Sequence, residues 1–175
     1  MQLTQKERSL LEDAKKHEEL CIKKYNSYSQ QAGDPQLKQL FQQHEGQEQN
    51  HCNTVNQILQ GRQPATGAGQ SSQQGAPAMQ SQGQSYQQSY QQPQGGQMGQ
   101  DTRVDYAGLS NQADGVLCND MLMSEKYISG AYDTAIFEQT NSSVRQALQH
   151  IQKEEQQHGE GIFNYMEQHG LYNPK

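Results

Sequence analysis

The sequence has no tryptophan and few apolar residues, which make up 31% of its 175 residues. No apolar run approaches the roughly 18 residues that a membrane-spanning helix needs, so no membrane partner is expected. The beginning, MQLTQKERSLLEDAKKHEEL, is charged and lacks the apolar centre of a signal peptide. A formal net charge of −6 argues against nucleic acid as a partner. These absences favour synthesis in the cytoplasm without export.

Cysteine is also scarce, and the three thiols form no CxxC pair: Cys21, Cys52 and Cys118. An odd, unpaired set of this kind is typical of a reducing compartment. We expect the thiols to be small core residues.

Aliphatic residues are missing from the middle of the chain. Residues 61–103 contain no Leu, Ile, Val, Phe or Lys and consist mainly of Gln, Gly and Ser. Such a segment cannot offset its ordering entropy by burial, so disorder is expected. The predicted division is a helical hairpin in 1–60, a disordered linker in 61–104 and a second hairpin in 105–175. The run QSYQQSYQQPQ suits either chemical crosslinking through Gln and Tyr or a plain flexible spacer.

Four helices are predicted in the two hairpins. Thr4 followed three residues later by Glu7 is typical of a capping box at a helix start. The GDP sequence predicts a break, with Gly33 as a left-handed cap, Asp34 as an N-cap and Pro35 opening the second helix. The predicted helices span 4–31, 35–60, 107–139 and 143–168.

The apolar residues of these helices recur every three or four positions, which predicts a bundle. The expected fold class is all-α, a four-helix bundle. An offset of 107 residues relates the two pairs, so that Tyr25 corresponds to Tyr132 and Phe41 to Leu148. We interpret the chain as a duplicated hairpin. In an up-up-down-down arrangement the connection between the hairpins would run the length of the bundle, roughly 38 Å, which a flexible linker can cross.

Each helix also places a glutamate in the middle of its apolar face. Four buried carboxylates at one level would repel one another and partly protonate unless cations balance them. The first and third helices offer a single Glu each, whereas the second and fourth offer a Glu-x-x-His pair. The candidate ligands are Glu18, Glu48, His51, Glu125, Glu155 and His158.

This is the ligand set of two-metal carboxylate sites in helix bundles. The alternative is a hydrogen-bonded or water-filled polar core without metal. Tyr25 and Tyr132 lie two turns beyond the single glutamates, where they either hydrogen-bond the ligands or only pack in the core. Glu154 is expected to be solvated, and His44 to be an ordinary side chain.

The spacing Glu-x6-Tyr followed by Glu-x-x-His resembles the ferritin-like superfamily, which includes rubrerythrins and bacterioferritins. Residues 105–172, with the SEK…Y…A…E run and the GLY near the end, resemble the Coat F family of spore coat proteins, and residues 4–60 resemble it more loosely. The first resemblance implies a ferritin-like bundle with two iron or manganese ions. The second implies a structural role in the spore coat after synthesis in the mother cell, and it does not imply catalysis.

Two functions are therefore compared. The first is a structural spore coat protein, whose partners would be other spore coat proteins and further copies of the same chain. The alternative is a ferritin-like di-metal oxidoreductase, either a ferroxidase or a peroxide scavenger. The missing CxxC pair removes the usual electron-transfer partner of a rubrerythrin-type enzyme. We expect the coat role.

Overall fold

The protein is a bundle of four helices. The computed structural model describes residues 2–64 and 106–172, with side chains from residue 111 onward in the second range. Within these residues lie α1 (Gln5–Gln31), α2 (Pro35–Leu59), α3 (Tyr106–Glu138) and α4 (Ser142–Gln168). The all-α bundle is confirmed, and each helix bound agrees with its prediction to within one residue. Most of the predicted linker lies outside the described residues.

Local capping explains where the helices begin. The Thr4 hydroxyl accepts from the Glu7 N–H while the Glu7 carboxylate accepts from the Thr4 N–H, which completes the predicted capping box. Asp34 accepts from the Gln36 N–H ahead of Pro35. The expectation of a left-handed Gly33 is wrong, because the glycines with positive φ in the described residues are Gly61 and Gly170, which follow α2 and α4.

The helix order differs from the up-up-down-down arrangement. Each hairpin is antiparallel, α1 lies beside α3, and α2 lies beside α4. Arg8 near the start of α1 contacts the Leu59 carbonyl at the end of α2, whereas Asp114 of α3 contacts Gly33 beyond the end of α1. The arrangement is therefore up-down-down-up. The residues that join α2 to α3 connect opposite ends of the bundle, as predicted.

Two buried carboxylates tie the hairpins together at opposite ends. Glu7 accepts hydrogen bonds from both the N–H and the hydroxyl of Thr140, in the turn between α3 and α4. Asp114 accepts from the N–H groups of Gly33 and Asp34, in the turn between α1 and α2. Glu7 and Asp114 are 107 residues apart, so the two contacts are equivalent. Burial opposes ionisation of Glu7, but the N–H groups of Thr140 and Thr4 lower its pKa to about 2.

The core has an apolar layer at each end and a polar layer between them. Leu11, Val55 and Leu148 are fully buried towards one end, and Phe41 and Met121 towards the other. Burial of such side chains contributes roughly 1.5–3 kcal/mol each. Cys21, Cys52 and Cys118 are buried free thiols, as expected. Among the described helices, none has the length and apolar content to cross a membrane.

Candidate metal centre

The six candidate ligands meet in the polar layer, near the middle of every helix. Glu18 comes from α1 and Glu125 from α3, while α2 and α4 each contribute one glutamate and one histidine. None of the six residues is more than 2% exposed. The structure thus brings together all the residues that the sequence singled out, and the three-residue spacing places each Glu-x-x-His pair on one helix face.

The six residues form two overlapping groups. The first consists of Glu18, His51, Glu48 and Glu155, and the second of Glu125, His158, Glu48 and Glu155. In each group the four candidate ligand atoms lie within 4.8 Å of one another. Glu48 and Glu155 belong to both groups. Each group could hold one ion, and the two candidate positions share two carboxylates.

Both histidines turn Nδ1 towards the carboxylates. Nδ1 of His51 lies 2.9 Å from Oε1 of Glu155 and 3.6 Å from Oε2 of Glu18. Nδ1 of His158 lies 2.9 Å from Oε1 of Glu48 and 3.7 Å from Oε2 of Glu125. Nδ1 is therefore the atom that each imidazole offers to an ion.

The outward nitrogens have different partners. Nε2 of His51 lies 2.9 Å from the Glu154 carboxylate, and Nε2 of His158 lies 3.2 Å from the Gln47 side-chain oxygen. Each contact fixes the orientation of its ring. The expectation that Glu154 is merely solvated is wrong. Gln47 and Glu154 are 107 residues apart, as His51 and His158 are. This correspondence was a signal in the sequence that the two side chains have equivalent roles, and sequence reasoning missed it.

Both tyrosines reach across to the other hairpin. Tyr25 donates to Oε1 of Glu125, and Tyr132 donates to Oε1 of Glu18. The hydrogen-bonding interpretation therefore holds, although the Tyr25 ring also packs against Phe41. Burial, followed by the adjacent carboxylate, raises the pKa of each tyrosine well above its ordinary value. Both phenols stay protonated and act as donors.

One oxygen of every carboxylate in the cluster lacks a hydrogen-bond partner. Oε2 of each of the four glutamates is buried and makes no hydrogen bond in the part of the chain that the structure describes, and it lies 3.6 to 3.7 Å from Nδ1 of a histidine. A buried carboxylate oxygen without a hydrogen bond is costly. Four such atoms in two groups of ligand spacing fit a pair of cations. The residues present therefore suit a two-metal site.

Without metal, protons balance the charge of the cluster. Burial raises the pKa of Glu18 to about 9 and of Glu125 to about 8, so both favour the neutral acid. Burial opposes ionisation of Glu48 most strongly, yet hydrogen bonds from His158 and His51 hold its pKa below the usual range. Burial disfavours the His158 cation, but the surrounding carboxylates raise its pKa to about 11.

His51 has the same protonation as His158. Both of its ring nitrogens lie against carboxylates, which raise its pKa far above the ordinary value despite the opposing effect of burial. Two imidazolium ions then face the ionised Glu48 and Glu155 while Glu18 and Glu125 keep their protons. The partial protonation expected from four buried carboxylates is thus present.

His44 is a further buried group beside the second position. Its ring stacks on His158 with a centroid separation of 4.4 Å, and its Nδ1 lies 3.2 Å from the Tyr25 hydroxyl. Burial, with a smaller contribution from His158, lowers the pKa of His44 to about 3, so the ring is neutral. The equivalent residue in the second hairpin is Ile151, which explains why the 107-residue comparison gave no signal for His44.

Comparison with known proteins gives one match. The Coat F domain family matches residues 113–175, which cover most of α3 and all of α4. No curated protein and no solved structure matches the chain. The looser resemblance of residues 4–60 stays a prediction. The second hairpin is therefore similar to the Coat F domain of spore coat proteins, as its sequence predicted.

Proposed function

We propose that the protein is a structural component of the bacterial spore coat whose bundle holds two divalent iron or manganese ions. The Coat F match supports the coat role and an association with other coat proteins. The observation that carries the metal proposal is the set of four buried carboxylate oxygens without hydrogen bonds, arranged in two groups of ligand spacing.

Each ion would take one glutamate and one imidazole of its own. Glu18 with His51 would hold the first ion, Glu125 with His158 the second, and both would share Glu48 and Glu155. Two divalent cations carry the charge that neutralises four carboxylates. Oxygen-rich sets with some imidazole suit Mn(II) and Fe(II). When bound, such a pair supplies Lewis acidity or one-electron chemistry and joins the two hairpins.

The chain's own residues prepare the site for this exchange. Binding displaces the protons on Nδ1 of both histidines and on Glu18 and Glu125, so that two divalent ions replace four protons without changing the net charge of the cluster. The Nε2–H groups continue to donate to Glu154 and Gln47. Tyr25 and Tyr132 hold the outer oxygens of their glutamates in place.

A di-metal oxidoreductase, either a ferroxidase or a peroxide scavenger, is the second candidate. The observation that favours it is a cavity between α3 and α4 that reaches Glu125 and Glu155. A purely structural metal pair has no need of such an opening. Location separates the two candidates: we expect the protein in the coat fraction of mature spores, and abundance in the soluble fraction of growing cells would favour the enzyme.

Metal content and thermal stability test the metal proposal. Protein purified from cells supplied with iron or manganese should contain about two ions per chain, and chelation should lower its melting temperature. At free metal about 100 times Kd, each ion adds roughly 2.7 kcal/mol to the free energy of unfolding. A melting temperature that ignores both Fe(II) and Mn(II) after chelator treatment would defeat the proposal.

A matched pair of variants makes this test specific. In Glu18→Gln with Glu125→Gln, the amide replaces an acid that is already neutral and still accepts from Tyr132 and Tyr25. The metal-free melting temperature should hardly change, while the increase caused by metal should be lost. The control is Glu12→Gln with Glu160→Gln, which makes the same Glu→Gln substitutions at exposed positions and should keep the full increase.

A further inference from the structure

A cavity lies between α3 and α4 in the described part of the chain. Its volume is about 460 Å³. Its lining includes Glu125, which belongs to the second ion position alone, and Glu155, which both positions share. Three smaller cavities of about 210 to 230 Å³ are lined by none of the six ligands.

Gly159 provides the opening beside Glu125. A Cβ atom added to Gly159 would lie 3.6 Å from Cδ1 of Leu122 and 3.9 Å from Cβ of Glu125. The residue at the equivalent position in the first hairpin is Cys52, which is buried at 7% exposure. A side chain therefore occupies, on the α1–α2 side, the place that is empty on the α3–α4 side.

Two more sequence differences between the hairpins distinguish the α3–α4 side from the α1–α2 side. Ser129 lines the cavity, and its counterpart in α1 is the larger, apolar Ile22. Lys126 also lines the cavity, whereas its counterpart Glu19 pairs with Lys15 at 3.7 Å. Glu125 and Glu155 also line the cavity. With two ions balancing these carboxylates, Lys126 is the remaining charge of the lining, where the other hairpin has an acid, and this favours a small anion.

We propose that this cavity is the access route by which a small anion of the size of azide reaches the second ion position, between Glu125 and His158. At the first position, between Glu18 and His51, the buried Cys52 fills the place that corresponds to Gly159. The inference rests on the proposed metal pair and adds that its two positions differ in exchange with solvent. Ligand would approach from the Gly159 side, past Lys126 and Ser129.

The test uses the full chain loaded with Co(II), whose visible spectrum reports its ligands, and azide as the probe. The parent should bind about two Co(II) ions, and azide should change the spectrum of only one. Gly159→Leu should keep both ions and weaken azide binding by about tenfold or more, because the new side chain fills the cavity. Gly46→Leu is the matched control, since nothing lies within 4 Å of a Cβ at Gly46.

The reverse variant opens the other side. Cys52→Gly should make the Co(II) ion at the first position respond to azide as well. Gly159→Ala, whose Cβ meets only ordinary contacts, should show intermediate azide affinity and covers the case in which Gly159→Leu does not fold. A parent with two Co(II) ions that ignores azide overturns the inference, and so do Gly159 variants that bind azide like the parent. A parent that binds no Co(II) overturns the proposed metal pair itself.

Discussion

The two proposed ion positions have the same candidate ligands but different surroundings. Glu18 with His51 and Glu125 with His158 are identical under the 107-residue offset, and so are the tyrosines that contact the glutamates. Beyond these residues the two sides differ. The first position has Glu154, Ile151 and Cys52 where the second has their 107-residue counterparts Gln47, His44 and Gly159. Both positions use the same two shared carboxylates and the same types of candidate ligand, whereas the residues around these ligands differ between the two sides.

The largest effect should come from removing what the two positions share. Glu48→Gln with Glu155→Gln should abolish binding at both, so that metal content falls from about two ions to none. The same change leaves two buried imidazolium groups without their carboxylates, and loss of one partner of a buried pair costs about 3–5 kcal/mol. Metal analysis and chemical denaturation measure the two effects.

The control for this double variant is Glu12→Gln with Glu160→Gln, which should bind two ions with unchanged stability. Retention of even one tightly bound ion after loss of both Glu48 and Glu155 would contradict the shared role of these carboxylates.

Single variants should separate the two positions. Glu18→Gln should empty the first and Glu125→Gln the second, so that metal content falls to about one ion in each case. With Co(II) the remaining ion should respond to azide in Glu18→Gln and should not respond in Glu125→Gln. Identical azide responses in the two variants would show that the positions are equivalent.

A rise in pH should change the stability of the metal-free and metal-loaded proteins in opposite directions. The raised pKa values of Glu18, Glu125 and His158 mean that the folded state keeps protons which the unfolded state releases as pH rises. Their contribution is full below the unfolded values of 4.5 for Glu and 6.5 for His, and it is lost as pH rises through about 8, 9 and 11. Each such proton costs about 1.4 kcal/mol per pH unit.

We therefore expect the melting temperature of the chelated protein to fall as pH rises from 6 to 9. His44 makes a smaller opposite contribution, because its lowered pKa destabilises the fold only below its unfolded value of 6.5. With Mn(II) the melting temperature should rise over the same range, because the ions need deprotonated ligands. Melting curves at matched pH check both trends. Parallel trends would contradict the exchange of protons for metal.

The smallest effect should come from the outer partners of the histidines. Glu154→Gln gives His51 the kind of partner that His158 has, and should weaken metal binding at the first position by about tenfold. Gln47→Glu should strengthen binding at the second position by a comparable factor. Competition with a metal chelator measures both, and a larger loss at the second position in Glu154→Gln would contradict the assignment.

Much of the fold followed from local signals. Thr4, Glu7, Asp34 and Pro35 mark helix starts through side-chain chemistry within a few residues, which a sequence shows directly. The inward faces followed from periodicity, and with them the six ligands. The helix order did not follow, because periodicity shows which face is buried and not which helix it meets.

The surroundings of the site also escaped sequence reasoning. Glu154 looked solvated because its neighbours are polar, yet it contacts a ring from the other hairpin. Gly33 lacks the left-handed conformation because its N–H donates to Asp114, a residue 81 positions away in sequence. Gly159 gave no signal because the lack of a side chain matters only where two helices meet. In each case a contact between hairpins decided the outcome.

Glu7 and Asp114 make equivalent hydrogen bonds, each to the turn of the other hairpin. The interface between the hairpins therefore has the form of an isologous dimer contact, in which residue i of one half contacts residue j of the other and j contacts i. Each half contributes three of the six ligands, and neither ion position is complete within one half. Covalent connection replaces a concentration-dependent association by an intramolecular one. A dimer of two identical hairpins would carry the same residue at the positions of Cys52 and Gly159, so both sides of the site would have a cavity or neither would. In one chain the two halves can differ in sequence, and a cavity can form on one side alone.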